Sequence, residues 1–319
     1  MAVTAPARTS LALLPTPLVA APRLADALGL LGSLLVKRDD LTGFAAAGNK
    51  ARQLEFLVAE ANEQDADVLV TGGSTGSNFV PAAAAAASYA GLRCVVVLAG
   101  DEVDRASHPN LAAATAWGAQ LRWTGRADRD SVDDMLPEVA ALLAREGARP
   151  YVVPRGGASA TGSLGYRLAV DEVIGQLAGA SPTVVVAAGA GGTLAGLVAG
   201  TVAHGRPFRV VGASVSRPVD EVAVRVLDLA SQVARRCGEE PPQARDVDLV
   251  DARGPGHGVA SPAGDATAAL ALRCAGLVLD PVYTAKALAA LPSVVPDGPA
   301  LFWHTGGLLD AVAGLLAPL

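Results

Sequence analysis

The chain has 319 residues, of which 51% are hydrophobic and 18% are charged, which is typical of a folded protein long enough for two domains. A net charge of −6 and the lack of a strongly basic run argue against a protein that binds nucleic acid. No apolar stretch reaches the length of a membrane span, and the first residues make a poor signal peptide, so we expect a cytoplasmic protein that does not bind membranes.

Three cysteines bear on the compartment and on metal binding. Cys94, Cys237 and Cys274 have a spacing that fits neither a disulfide framework nor a zinc site. Their odd number suits a reducing compartment, and we predict no metal site. Cys94 begins an apolar run and is predicted to be a core residue.

Short apolar runs alternate with helical patterns along the chain. Residues 50–63 place Leu54, Leu57, Val58 and Ala61 on one stripe, which predicts a helix. The predicted strands are 68–71, 94–98, 121–124, 151–153, 184–188, 210–213, 277–279 and 301–304. Most are continuously apolar, as expected for strands buried on both faces. The pattern predicts an α/β fold with parallel sheets, and the polar segment 235–251 is interpreted as a surface excursion.

Three glycine-rich loops, 71–78, 189–193 and 304–307, follow predicted strands, where ligands bind in open parallel sheets. The second loop reads Gly-Ala-Gly-Gly-Thr and leads into a helix predicted to start near Leu194. Its backbone N–H groups, the helix N-terminus and the Thr193 hydroxyl suit a phosphate. Without a Gly-Lys-Ser/Thr triplet or a dinucleotide fingerprint, a single terminal phosphate fits better than a nucleotide, although a turn that binds nothing is the alternative.

Lys50 lies where a cation is electrostatically disfavoured. Asn49 is predicted to cap a helix whose first turn contains Lys50, and the helix dipole opposes a positive charge there. That placement makes sense if the amine binds a carbonyl group covalently or acts as a base; the alternative is a solvated lysine. Ser77 and Asn78 precede a helix opened by Pro81. They either hold a substrate carboxylate and a cofactor oxygen or simply cap the helix.

In order and spacing, these features resemble the fold-type II pyridoxal 5′-phosphate (PLP) enzymes, specifically the family of 1-aminocyclopropane-1-carboxylate (ACC) deaminase and D-cysteine desulfhydrase. The matching stretches cover most of the chain: 37–43, 48–50 with 54–56, 77–78, 191–196, 279–283 with Lys286, and 304–307.

The resemblance implies a tryptophan synthase β-like fold of two open, twisted, mainly parallel sheets flanked by helices. It also implies a homodimer, a large PLP-binding domain of residues 1–45 plus 158–319, and a small domain of residues 46–157 inserted between them. Lys50 would carry PLP and then shuttle protons, and Tyr283 would be a second acid/base group. Ser77 would meet the substrate carboxylate. The remaining cofactor-binding residues would be Asn78 at the ring hydroxyl, Gly189, Ala190, Gly191, Gly192 and Thr193 at the phosphate, and Thr305 near the ring nitrogen.

The chain departs from this family at three places. His257 stands in a Gly-His-Gly turn where the family has a second tyrosine, so it is either catalytic or only a loop residue. The loop before Ser77 is one residue longer than usual, and Phe79 stands where desulfhydrase-like members often carry histidine. Thr284 replaces an acidic residue of the deaminase branch, which favours the desulfhydrase branch.

The predicted function is therefore that of a PLP-dependent lyase. It would catalyse α,β-elimination and deamination of a small amino acid such as D-cysteine, releasing a keto acid and ammonia. β-Replacement or racemisation within a biosynthetic pathway, ACC deamination, and a non-catalytic ligand-binding role are the alternatives. The joint presence of Lys50, Asn78, Thr193 and Tyr283 argues against the last of these.

Overall fold

The structure, a computed structural model, describes residues 6–256, 258–295 and 297–316. The strands are β1 (Leu18–Ala20), β2 (Leu34–Arg38), β3 (Val68–Gly73), β4 (Arg93–Leu98), β5 (Gln120–Trp123), β6 (Pro150–Val152), β7 (Thr183–Ala188), β8 (Val210–Ser214), β9 (Asp248–Asp251) and β10 (Ala300–His304). The helices are α1 (Pro22–Ala27), α2 (Asn49–Glu63), α3 (Phe79–Tyr89), α4 (Pro109–Ala116), α5 (Asp130–Arg145), α6 (Ala160–Leu177), α7 (Gly192–Ala203), α8 (Val219–Cys237), α9 (Pro262–Ala275), α10 (Thr284–Val294) and α11 (Leu308–Leu316).

The larger sheet has six strands in the order β1-β2-β10-β7-β8-β9. Strand β1 is antiparallel to β2, and the other pairings of this sheet are parallel. All five residues of β10 are buried, because β10 lies between β2 and β7 in the middle of the sheet. The carboxyl ends of β7 and β10 are therefore neighbours, and residues 189–193 and 305–307 leave the sheet side by side.

The smaller sheet has four parallel strands in the order β5-β4-β3-β6. All six residues of β3 are buried, as expected for a strand covered on both faces. The four strands come from one continuous stretch of chain, residues 68–152. This observation is compatible with an inserted small domain, but the boundaries 46 and 157 stay a prediction.

A buried ionic network anchors α2, the helix that begins next to Lys50. The Arg52 guanidinium donates to both carboxylate oxygens of Asp39 at 2.9 Å, and Asp39 also accepts from the Tyr166 hydroxyl at 2.6 Å and from the Trp303 indole at 2.8 Å. Although burial raises the pKa of Asp39, the Arg52 charge and these hydrogen bonds lower it to about 2. A Cβ at Gly165 would lie 2.2 Å from the Arg52 carbonyl oxygen, so α6 packs directly against the backbone of α2.

Several sequence predictions are confirmed at the level of elements. The helix predicted over 50–63 is α2, and its stripe of Leu54, Leu57, Val58 and Ala61 is buried in the core. Cys94 is also buried, and burial raises the pKa of its thiol to about 12. No helix within the described ranges is long and apolar enough to cross a membrane.

Two predictions about the chain path are wrong. Residues 277–279 are apolar because Leu277 and Leu279 pack in the core, but they pair with no strand of the described chain. The segment 235–251 is not simply a surface excursion, because it ends in β9, the edge strand beside β8. Strands β1 and β2 were not predicted from the sequence.

Candidate active site

One cleft, with about 640 Å³ of atom-free space, lies where the carboxyl ends of strands from both sheets meet. It brings together ten predicted site residues: Lys50, Ser77, Asn78, Gly189, Ala190, Gly191, Gly192, Thr193, Tyr283 and Thr305. We call the residues that follow β7 and β10, Gly189–Thr193 and Thr305, the glycine-loop side. Ser77, Asn78 and Phe79, which follow β3, form the Ser77 side. His257 lies outside the described residues.

The glycine-loop side presents backbone groups to the cleft. Helix α7 begins at Gly192, two residues before the predicted start, and is preceded by Gly191 with φ of 94°. The N–H groups of a first helical turn have no partner within the helix, so they remain available to an anion. A Cβ at Gly189 would lie only 3.0 Å from Cε1 of Tyr283, so glycine allows the tyrosine ring to approach the loop.

Asn49 connects the loops instead of capping α2. The residue before the helix is Gly48, and the backbone N–H of Asn49 donates to the Thr305 carbonyl at 2.8 Å. The Asn49 amide donates to the Thr193 hydroxyl oxygen at 2.9 Å. The prediction of a cap is therefore wrong. Because Thr193 accepts this bond, its own O–H can donate elsewhere, for example to an anion at the loop.

The three lysines of the chain differ in their partners. The Lys37 ammonium is held by the Thr16 carbonyl at 2.6 Å and by Glu172. The Lys286 ammonium donates to the carbonyls of Arg253 and Gly256 at 2.7 and 2.8 Å. Lys50 has one long contact among the described residues, 3.5 Å to the Gly156 carbonyl.

Desolvation acts on the Lys50 amine without compensation from a carboxylate of the described residues. It lowers the pKa of Lys50 to about 8, which makes the uncharged, nucleophilic amine accessible near neutral pH. The ring of the buried Phe79 lies beside this amine, with its centroid 5.9 Å from Nζ. The prediction that Lys50 is an unusual lysine at a helix start therefore agrees with its surroundings.

On the Ser77 side, a residue that the sequence analysis missed sets the orientation of Asn78. Asn110 in α4 donates to Oδ1 of Asn78 at 3.2 Å and to Oδ2 of Asp310 at 3.0 Å. Since Oδ1 of Asn78 is occupied as an acceptor, its Nδ2 is the group left to donate in the cleft. The Ser77 hydroxyl oxygen accepts from the backbone N–H of Phe79 at 3.3 Å, so Ser77 also serves the start of α3.

Tyr283 is held by a turn that Asp280 organises. The Asp280 carboxylate accepts from the backbone N–H of Tyr283 at 2.8 Å, and from the hydroxyl and backbone N–H of Thr284 at 2.6 and 2.9 Å. Thr284 thus completes this turn through its hydroxyl. Burial and then the Asp280 charge raise the pKa of Tyr283 to about 12, so its phenol is protonated at neutral pH and can donate a proton.

Comparisons with known proteins agree on the kind of enzyme. A family model described as pyridoxal-phosphate dependent enzyme matches residues 9–306. The D-cysteine desulfhydrase of Salmonella choleraesuis is 39% identical over 307 residues, which cover 92% of each chain. That of Klebsiella pneumoniae subsp. pneumoniae is 38% identical over 308 residues, again covering 92% of each.

Solved structures extend this likeness to the whole fold. The crystal structure of an ACC deaminase homologue superposes with a TM-score of 0.88 at 33% identity and covers 95% of this chain and 92% of its own. A PLP-dependent aspartate racemase shares the fold alone, with a TM-score of 0.66 at 15% identity over 92% of this chain and 91% of its own. The predicted resemblance and fold-type II architecture are confirmed: the chain belongs to the pyridoxal-phosphate dependent enzyme family.

Proposed function

We propose that this PLP-dependent lyase catalyses α,β-elimination and deamination of a small β-substituted amino acid, as the D-cysteine desulfhydrases that it resembles do on D-cysteine. The observation that carries the proposal is the meeting of Lys50, Ser77 and Tyr283 in one cleft beside the glycine loop. Fold alone would not support it, because an aspartate racemase shares the fold.

The residues of the cleft fit PLP. The glycine loop offers N–H groups at a helix start and the Thr193 hydroxyl, which suit a phosphate. The Asn78 amide offers a donor, which suits the ring oxygen. The partly buried Lys50 amine, with its lowered pKa, suits attachment to a carbonyl carbon. We therefore assign the phosphate to Gly189, Ala190, Gly191, Gly192 and Thr193, the ring to Asn78 and Thr305, and the attachment to Lys50.

When bound, PLP supplies an electron sink for the charge that is left when the Cα–H bond of the substrate breaks. The protein supplies the proton carriers. In this proposal Lys50 first holds the cofactor and later takes the Cα proton, for which an amine with a pKa of about 8 is well matched to neutral pH. The Phe79 ring lies on one side of this amine, with its centroid 5.9 Å from Nζ.

Tyr283 and Ser77 complete the set. The Tyr283 phenol, protonated below a pKa of about 12, donates a proton to the group that leaves the β-carbon. Ser77 and the start of α3 bind the substrate carboxylate, because a hydroxyl and a helix N-terminus both favour an anion. His257, in place of the second family tyrosine, stays a proposed acid/base group.

A panel of D- and L-amino acids tests this function. The holoenzyme is incubated with D-cysteine, L-cysteine and both enantiomers of β-chloroalanine, and the keto acid is measured. We expect keto acid from at least one member and none from Lys50→Ala. The proposal fails if the wild-type protein produces no keto acid from any of them.

We further propose that the enzyme is a cytoplasmic homodimer with the domain division 1–45 plus 158–319 and 46–157. The resemblance supports the dimer and the domains, and three free cysteines suit a reducing compartment. Size-exclusion chromatography with light scattering tests the dimer: twice the 31.9 kDa chain mass is expected, and the mass of one chain would contradict it.

A further inference from the structure

A second compartment adjoins the cleft and shares part of its wall. Ser77, Gly156, Gly189, Ala190 and Tyr283 line both spaces. The compartment also extends to Arg129, Arg155 and Ser74, and we call it the Arg129 compartment. A substrate bound at Ser77 and Tyr283 therefore has this space next to it.

The arginines around this compartment differ in how they are paired. Arg155 donates to Asp133 at 2.7 Å and to Asp130 at 3.2 Å. Arg217, nearby, pairs with Glu221 at 3.2 Å. Arg129 is partly buried, yet no carboxylate of the described residues lies within 4.0 Å of it.

Two other arginines act on the charge of Arg129, and Asp130 acts in the opposite direction. Burial, then the charges of Arg217 and Arg155, lower the pKa of Arg129. Separating a cation from water beside other cations costs free energy unless an anion approaches it. The compartment therefore has a positive charge that no carboxylate of the described residues pairs with, next to the place where the substrate would bind.

The cofactor phosphate does not account for this charge. Arg225 lies next to the glycine loop, since its Cδ is 3.9 Å from the position of a Cβ at Gly191. Its buried Nε has no hydrogen-bond partner among the described residues. Arg225 is thus placed to respond to an anion at that loop. Arg129 shares its compartment with Ser74 and Ser77 instead.

We infer that the Arg129 compartment binds a negatively charged group on the substrate side chain, so that the preferred substrate carries a carboxylate or another oxyanion beyond its β-carbon. This inference rests on the proposed function for the placement of the substrate at Ser77. A guanidinium recognises planar carboxylates through paired hydrogen bonds and also binds sulfonates and phosphates.

Binding to the holoenzyme tests the inference without turnover. Glutamate and glutamine have no β-leaving group and differ in one charge, so their dissociation constants are compared by calorimetry, with aspartate and asparagine as a shorter pair, in both enantiomers. We expect the acid of one pair to bind at least about tenfold more tightly than its amide, which is the usual strength of a charged hydrogen bond. Homocysteate in the same titration distinguishes a sulfonate site from a carboxylate site.

Three variants test whether Arg129 causes the preference for the acid over the amide. Arg129→Gln should bring the acid-to-amide ratio close to one, and Arg129→Lys should retain part of it. Arg122→Gln removes the charge of an exposed arginine in β5 and should leave the ratio unchanged. An acid-to-amide ratio near one for both pairs in the wild-type protein would overturn the inference. Equal weakening of acid and amide binding by Arg129→Gln would also overturn it, because Arg129 would then bind the α-carboxylate that both ligands carry.

Measurements of keto-acid formation distinguish a failure of this inference from a failure of the proposed function. The kcat/KM for S-carboxymethylcysteine is compared with that for its uncharged amide, and β-chloroalanine reports elimination itself. If β-chloroalanine gives keto acid but S-carboxymethylcysteine is not preferred to its amide, the inference is wrong and the proposed function stands. If no compound gives keto acid, the proposed function is wrong. The acid-to-amide binding ratio then still decides whether the Arg129 compartment recognises an anion.

Discussion

The glycine-loop side and the Ser77 side of the cleft are built in different ways. The first uses backbone N–H groups, glycines at close approaches and the hydroxyls of two threonines, all within a few residues of β7 and β10. The second uses side chains whose positions depend on distant partners, as Asn78 depends on Asn110 and Asp310. The glycine-loop side has a fixed backbone geometry, which suits the phosphate of a cofactor that the family shares. The Ser77 side consists of side chains that can be replaced, which suits the recognition of different substrates.

Tyr283 lies between the two sides, and its loss should have the largest effect. Tyr283→Phe keeps the ring against Gly189 and removes only the proton donor. We expect kcat for elimination to fall by about 100-fold or more, because a positioned acid or base contributes that much, while cofactor binding is retained. Keto-acid kinetics together with visible absorbance measure both effects. An unchanged kcat would show that another group protonates the leaving group.

Thr193→Val perturbs the glycine-loop side alone. It removes the hydroxyl that accepts from Asn49 and that we assign to the phosphate, so we expect PLP to bind about tenfold more weakly. Thr201→Val is a matched control, because Thr201 lies in the same helix with its hydroxyl bonded to the Leu197 carbonyl at 2.9 Å. Titration of the apoprotein with PLP gives both constants. Equal constants for Thr193→Val and Thr201→Val would remove Thr193 from the phosphate site.

Asn110→Ala perturbs the Ser77 side and should have the smallest effect. Without Asn110 the Asn78 amide loses the bond that orients it, and a neutral hydrogen bond of this kind stabilises by about 1 kcal/mol. We expect kcat/KM to fall about fivefold. Thr115→Ala in the same helix is the control, since the Thr115 hydroxyl bonds only to the Leu111 carbonyl among the described residues. If Asn110→Ala behaves like Thr115→Ala, Asn110 does not position Asn78 for the reaction.

The elements that were predicted well carry their signal locally. The valine run of β4 follows directly from burial on two faces. The apolar stripe of α2 marks the side that packs in the core, although residues 51–59 of this helix are all buried. Residues 277–279 are apolar like β4 but have no partner strand in the described chain. Composition does not distinguish a buried strand from a buried segment without strand partners. Strand β9 is at an edge and only partly buried, so its sequence is too polar to reveal it.

The site shows the same limit. The glycine loop and Lys50 were predicted from residues close together in sequence and from the resemblance to a family. Asn49 was misread as a cap because its real partner, Thr193, lies 144 positions away. Asn110 and Arg129 belong to no motif, and their roles depend on which side chains the two sheets bring together.

Reductive labelling of the cofactor lysine tests the central claim most directly. The chain has only three lysines, and Lys37 and Lys286 are held by oxygen acceptors whereas Lys50 is not held at short distance. Borohydride reduction of the holoenzyme fixes PLP to the amine that carries it, and mass spectrometry of the peptides identifies that lysine. We expect the added mass on Lys50 alone. Label on Lys37 or Lys286, or on no lysine, would contradict this account.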